Sequence, residues 1–454
     1  MANSFLNELL HSLSDRSRSL LGRSRSAPVT GDLIALGEQL LSGQGEASGV
    51  ALARLLLDGY AVAPPKARLD FLMALAERFG TDLDKVESAI AAYRQSPGQA
   101  SLQALHQAAE PPRQELMRRL NLAPGGTAAL VRIREELLGL MANEPALRPV
   151  NEDFVHLFAS WFNRGFLVLR PIDWTTPANI LERIIRYEAV HRIRGWEDLR
   201  RRLEPTDRRC FAFFHPQLVD EPLIFVEVAL TREMPDAIGP LLAADRAPIP
   251  AEEATTAVFY SISNSQRGLA GVSFGNFLIK QVVEDLQRSL PRLETFATLS
   301  PVPGFATWLA SQRSDGKDRV FLGEAAATAL AGLDDPAWWE DTEKAEAMRR
   351  PLLSAAAYYF LKAKSPSGQP IDSVARFHLR NGARLERINA MADLSRHGLE
   401  QAHGLMANYL YDLGQIEANH EAFAAEGRFI ASAGVRKLLL TALPARRRGS
   451  PHAT

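Results

Sequence analysis

Ser300 and His378 are the two side chains whose types and settings could do chemistry together. Ser300 ends the apolar run 295–299 and precedes Pro301. A residue before proline is held extended, which fixes where its side chain points. Strand ends facing a crevice are where open α/β sheets put their ligands. No Gly-x-Ser-x-Gly elbow surrounds Ser300, which argues against a hydrolase serine. His378 lies in Ala-Arg-Phe-His-Leu-Arg-Asn-Gly-Ala, apolar on both sides and beside a turn at Asn381-Gly382. An imidazole in that setting can exchange a proton near neutral pH. Read singly, each also fits a plain role: a serine in a proline turn, a histidine satisfied in the core.

A third feature could bind the substrate of such a pair. Gly268, Gly271 and Gly275 fall between an apolar run at 256–263 and an amphipathic segment at 276–290. Glycines there let backbone approach a ligand closely, and the N-terminus of a following helix favours phosphate. No Gly-Lys-Ser/Thr follows, so this is not a Walker loop. The glycine spacing is also wrong for a dinucleotide fingerprint. Two readings remain: a coenzyme A loop of the kind found in acetyltransferase folds, or a plain glycine turn.

The elements that must position these residues change in character along the chain. Residues 30–150 read as helices. Leu69, Leu72, Met73, Ala76 and Phe79 share a face after Pro64-Pro65, and Thr81 is placed to cap the next helix. Another helix spans 128–141. Strands are expected at 166–170, 211–214, 223–230, 256–263 and 295–299, where β-branched and aromatic residues gather. A helix should follow Thr176, with Thr176 as cap and Pro177 at its first position. The helix at 276–290 between two strands implies a parallel crossover. Helices are expected again at 322–333, 351–361 and 398–413. The domain reading is a basic lead-in over 1–28, a helical domain over 29–155 that packs on itself or on a second copy, a sheet-bearing domain over 156–445, and a tail over 446–454.

Composition sets the outer bounds. The chain has 454 residues, 46% of them apolar, enough for two or three domains with real cores. A formal net charge of -1 gives no argument for bulk nucleic-acid binding. No run approaches the length of a membrane span. The single cysteine, Cys210, leaves no internal disulfide and reads as a buried, inert thiol at the start of an apolar strand. His191, His215 and His378 form no local ligand pattern, so no metal is expected. The Ser/Arg-rich N-terminus can be a disordered lead-in or a mitochondrial transit segment, although Glu8 and Asp15 interrupt it. A cytoplasmic protein is the default expectation.

A series of blocks, in order, makes this sequence similar to the malonyl-CoA decarboxylase family. They are Phe-Phe-His-Pro-Gln-Leu-Val-Asp-Glu-Pro-Leu-Ile-Phe-Val-Glu-Val-Ala-Leu-Thr at 213–231, Phe-Tyr-Ser-Ile-Ser at 259–263, Gly-Asn-Phe-Leu-Ile-Lys at 275–280, Leu-Ser-Pro-Val-Pro-Gly-Phe at 299–305, Phe-His-Leu-Arg-Asn-Gly-Ala at 377–383, Arg-Ile-Asn-Ala-Met-Ala-Asp at 387–393 and Gly-Leu-Met-Ala-Asn-Tyr at 404–409. The resemblance implies an α+β or α/β chain, with an N-terminal all-helical domain and then an acetyltransferase-like (GNAT-type) mixed-sheet catalytic domain with additional helices. It implies decarboxylation of malonyl-CoA to acetyl-CoA and carbon dioxide through a thioester enolate, with Ser300 and His378 as the catalytic pair and Tyr411 beside them. The coenzyme A loop would be Ala270, Gly271, Val272, Ser273, Phe274, Gly275 and Asn276, whose N–H groups could hold the enolate oxygen. His378, as imidazolium, would be the general acid. No metal, biotin, thiamine or pyridoxal phosphate is implied, because the thioester is itself the electron sink. The alternatives are an acyl-CoA-dependent acyltransferase on the same fold and a non-catalytic malonyl-CoA-binding regulator. Self-association through the helical domain is expected.

Overall fold

The computed structural model describes residues 32–43, 45–272, 278–366, 368–428 and 430–442. The expected lead-in at 1–28, the tail at 446–454, and Ser273, Phe274, Gly275 and Asn276 of the glycine loop lie outside the described residues.

From Leu33 to Trp161 apolar residues recur at helical spacing, and the chain runs through α1 (Leu33–Leu41), α2 (Glu46–Val62), α3 (Pro65–Glu77), α4 (Leu83–Gln95), α5 (Gln99–Ala109), α6 (Pro112–Asn121), α7 (Gly126–Leu140) and α8 (Arg148–Trp161). The core-facing stripes of α3, α6, α7 and α8 bury Phe71, Leu72, Leu116, Leu130, Phe154 and Phe158. α4 is capped by Asp82, whose carboxylate accepts from the Lys85 N–H, and not by Thr81. Thr81 instead donates to the Ala109 carbonyl. A carboxylate one residue closer to the first turn takes the free N–H groups.

The chain divides into two compact units. The first holds residues through Val168 and takes back two later segments, Phe214–Glu221 and Gln266–Phe274. The second holds Leu169–Phe213, Pro222–Ser265 and the chain from Gly275 onward.

The second unit is built on an eight-stranded mixed sheet: β1 (Val168–Ile172), β2 (Arg208–Phe214), β3 (Pro222–Thr231), β4 (Thr256–Asn264), β5 (Thr295–Thr298), β6 (Ser300–Pro301), β7 (Arg384–Asn389) and β8 (Met406–Leu410). Their order is β1-β2-β3-β4-β5-β8-β6, with β7 also on β8. β3 and β4 are antiparallel and nearly wholly buried, which accounts for their continuous apolar runs. β4 and β5 pair in parallel, Thr256 opposite Thr295, through the expected crossover helix, described over Leu278–Ser289. The helical start and mixed sheet thus meet the expected fold class.

Other local expectations fail as well. The strand expected at 166–170 begins two residues later, after a 3-10 turn at Arg164–Phe166. The helix after Trp174 starts at Ala178 with Pro177 as its cap, while Thr176 Oγ1 accepts from the Asp173 N–H. The helix expected at 398–413 is a short helix at Arg396–Ala402 followed by β8. His403 and Gly404 both take left-handed backbone angles, φ 50 and φ 76, which close the helix. The residues beyond pair with β5, β6 and β7. Gly404 reads as helix-tolerated in sequence; its conformation makes it a stop.

Candidate active site

β5 runs into β6 with one residue between them, so Thr298 and Ser300 are two apart and share a strand face. Ser300 Oγ donates to Thr298 Oγ1 at 2.8 Å and lies 3.1 Å from His378 Nε2. β8 lies alongside, Ser300 opposite Ala407. Asn408 Nδ2 donates to the Thr298 carbonyl at 2.8 Å, and the Tyr409 N–H to Thr298 Oγ1 at 3.2 Å. The serine is therefore held by a sheet register and not by a mobile loop.

His378 arrives from the last turn of α9 (Ser373–Arg380). Asp372 caps this helix through the Ala375 N–H at 2.7 Å, and its other oxygen accepts from the Tyr359 hydroxyl at 3.3 Å. Burial pushes the Asp372 carboxyl up to about 6. At the far end Gly382 turns the chain with φ 82, and a Cβ there would sit 2.0 Å from the Ile416 carbonyl oxygen, so only glycine fits. The Asn381-Gly382 turn is where the sequence placed it. His378 lies in the last turn of the helix, next to that turn, and is fully rather than partly buried.

Both ring nitrogens are engaged. Nδ1 lies 2.8 Å from the Tyr411 hydroxyl, and the ring stacks on Tyr409 with centroids 4.5 Å apart. One donor order satisfies the chain: Tyr411 O–H to Nδ1, Nε2–H to Ser300 Oγ, Ser300 O–H to Thr298. Burial pushes the imidazole down to about 3. It also raises both tyrosine hydroxyls above their ordinary value. At neutral pH the resting histidine is uncharged, so the expected imidazolium is not the resting form. Tyr411 stands against the Nδ1 side of His378. Thr298 and Tyr409 were missed, although the two-residue spacing of Thr298 from Ser300 was available as a signal.

The pair closes a cavity of about 230 Å³ whose other walls include Ile224, Phe259, Ile262, Val374 and Phe377. Among the described residues no Lys, Arg, Asp or Glu lines it. Its described lining is largely apolar around Ser300 and His378.

Ala270, Gly271 and Val272, the described part of the glycine loop, belong to the first unit. Arg134, buried on α7, donates to the Gly268 carbonyl at 2.6 Å and the Ala270 carbonyl at 2.7 Å. A Cβ on Gly268 would lie 1.9 Å from the Val131 carbonyl oxygen, so the glycine is needed for close approach to α7. Gly271 takes φ 76, a left-handed turn. Cys210 is buried in β2, and burial raises its thiol. Among the described residues no group of three or more His, Cys, Asp or Glu side chains is placed to hold a metal ion, and no helix is long and apolar enough to cross a membrane.

Comparison with known proteins agrees with this architecture. The family model of the malonyl-CoA decarboxylase C-terminal domain matches residues 165–449, and that of the N-terminal domain matches residues 79–162. A mitochondrial malonyl-CoA decarboxylase of Anser anser anser is 36% identical over 397 residues, 80% of this chain and 78% of that protein. The crystal structure of malonyl-CoA decarboxylase from Rhodopseudomonas palustris superposes with a TM-score of 0.87 at 61% identity, covering 90% of this chain and 99% of that one. The Agrobacterium vitis enzyme of the same name gives 0.85 at 57% identity, covering 90% and 100%. The two domain models together with these relatives place the chain in the malonyl-CoA decarboxylase family.

Proposed function

We propose that this chain decarboxylates malonyl-CoA to acetyl-CoA and carbon dioxide, with Ser300 and His378 as the working pair. The observation that carries the reading is their contact at the wall of a small chamber without charged lining. A malonyl carboxylate placed there loses its hydration without gaining a cation. That destabilises the localised charge relative to a transition state that spreads it into the thioester. The C–C bond breaks, carbon dioxide leaves, and the electron pair remains as the enolate.

Carbon 2 then needs one proton. A thioester enolate is a stronger base than an alkoxide, so a neutral hydroxyl can supply it. In this proposal Ser300 Oγ gives the proton to carbon 2, His378 Nε2–H reprotonates the serine as Nδ1 takes the Tyr411 proton, and solvent returns a proton to Tyr411 as product leaves. This replaces the imidazolium donor expected from sequence, because burial keeps His378 neutral. Coenzyme A is assigned to 270–276; the support is the loop backbone clamped by Arg134 and turned at Gly271. The thioester is the electron sink, so the proposed reaction calls for no further cofactor.

Purified protein with malonyl-CoA, scored for acetyl-CoA and carbon dioxide without an acceptor, tests the reaction. Ser300→Ala and His378→Asn should each cut kcat by about 10²-fold or more. Wild-type turnover in either variant removes that residue from the mechanism. Tight binding without turnover in the wild type would leave the non-catalytic regulator.

The proposal includes self-association through the helical unit. α4 and α5 pack as a hairpin in which no residue is fully buried, and they leave Leu83 and Leu102 exposed. It also includes a cytoplasmic location, with the mitochondrial matrix as the alternative. Sedimentation of the purified chain and imaging of a tagged one test these two points.

A further inference from the structure

A second and larger cavity, about 820 Å³, lies in the same unit as the catalytic chamber. Arg192, Arg194, Arg202, His191, His397 and Asp393 are among its lining residues, so three arginines and one carboxylate border it. Ile238 and Leu242 form part of its apolar wall. Val190 lines both cavities, and the His191 ring faces that of Tyr260, another wall of the catalytic chamber, at 6.4 Å. The two cavities are thus neighbours that share a wall.

The arginines differ in how far they are already used. Arg202 is buried; it donates to Glu227 at 3.0 Å and to the Arg192 carbonyl at 3.2 Å. Its Nε finds no hydrogen-bond partner among the described protein groups, and neither does the buried Nε2 of His191. Asp198, 3.7 Å from Arg202, is already engaged by the Arg194 N–H, and Asp393 by the Ser395 N–H. The side chains of Arg192 and Arg194 are exposed and have no ion-pair partner among the described residues. Two unpaired guanidiniums stand at a pocket with unmet buried polar nitrogens in its wall. That matches a small anion, since a guanidinium fork fits a carboxylate or a phosphate with two parallel hydrogen bonds.

We propose that this cavity is a second ligand site, separate from the malonyl-CoA chamber, for a small carboxylate or phosphate anion held by Arg192 and Arg194. The assignment does not depend on the reaction catalysed next door.

Calorimetric titration of the full chain with inorganic phosphate and, separately, with free malonate tests it. The proteins compared are wild type, the double variant Arg192→Gln/Arg194→Gln, and Ser300→Ala. One of the two anions should bind the wild type, and which one it is tells phosphate from carboxylate recognition. Affinity should fall about tenfold or more in the double arginine variant, the size of one lost charge-assisted contact. It should be unchanged in Ser300→Ala. The variant's unfolding midpoint and its decarboxylation rate without added anion should match the wild type. Absence of binding by both anions, equal affinity in the arginine variant, or loss of binding in Ser300→Ala would each overturn the proposal. The last result would put the anion in the catalytic chamber instead.

Discussion

The two nitrogens of His378 are both spoken for, so the Tyr411 hydroxyl sets which tautomer faces Ser300. Replacing Tyr411 with Phe keeps the ring and removes that control. One net hydrogen bond is worth about 1 kcal/mol, so kcat should fall about fivefold while KM stays near the wild-type value. Steady-state kinetics decide this, and a rise in KM alone would make Tyr411 a binding residue. The buried imidazole also links to stability. Its folded value is about 3, and an unfolded histidine titrates near 6.5. Between those values the unfolded chain binds the extra proton, so this residue costs the fold stability as pH falls, about 1.4 kcal/mol per unit. Urea unfolding at pH 7 and pH 5 should therefore show a smaller acid penalty in His378→Asn than in wild type. An equal penalty would mean that the imidazole is not held neutral. Family blocks made Ser300, His378 and Tyr411 legible in the sequence. The stacking of Tyr409 was not, because it needs β8 and α9 placed side by side.

At the scale of elements, short segments carry the site, and these were the hardest to read. The parallel β4–β5 pair was legible because long apolar runs flank an amphipathic helix. β6, β7 and β8 have two, six and five residues. β8 looked helical until the left-handed His403 and Gly404 are known. Ser300 is fixed by a two-residue strand whose identity depends on β8, so the sequence pointed to the residue but not to what holds it. The glycine loop shows the same dependence. Its described backbone is clamped by Arg134, a side chain distant in sequence that reads as one more helix cation. Arg134→Met should keep the packing volume and remove both donors. KM for malonyl-CoA should rise, with kcat changed less, because each lost bond from a charged donor is worth about 1.5–3 kcal/mol. A kcat loss at constant KM would instead place the arginine's effect on the chemical step.

For the whole molecule, the order of the chain and the division into compact units do not coincide. The chain leaves the first unit at Val168, returns to it at 214–221, and returns again at 266–274. A linear reading set a single boundary near residue 155, since helices give way to strands there. Each returning segment is tied to the helices. His215 Nε2 lies 3.0 Å from the Trp161 carbonyl oxygen and its ring packs on Phe162 at 4.8 Å; Gly268 and Ala270 are bonded to Arg134. Leu218 and Leu269 are buried. A chain beginning at Leu169 would keep nearly all of the sheet and both Ser300 and His378, yet leave these two segments without the groups that bury and bond them. It should express poorly, bind a hydrophobic dye, and lose malonyl-CoA turnover although Ser300 and His378 remain. Soluble yield, dye binding and turnover, measured beside the full chain, check this. A soluble fragment with wild-type kinetics would show that the returning segments fold without the helices and that the catalytic unit is autonomous.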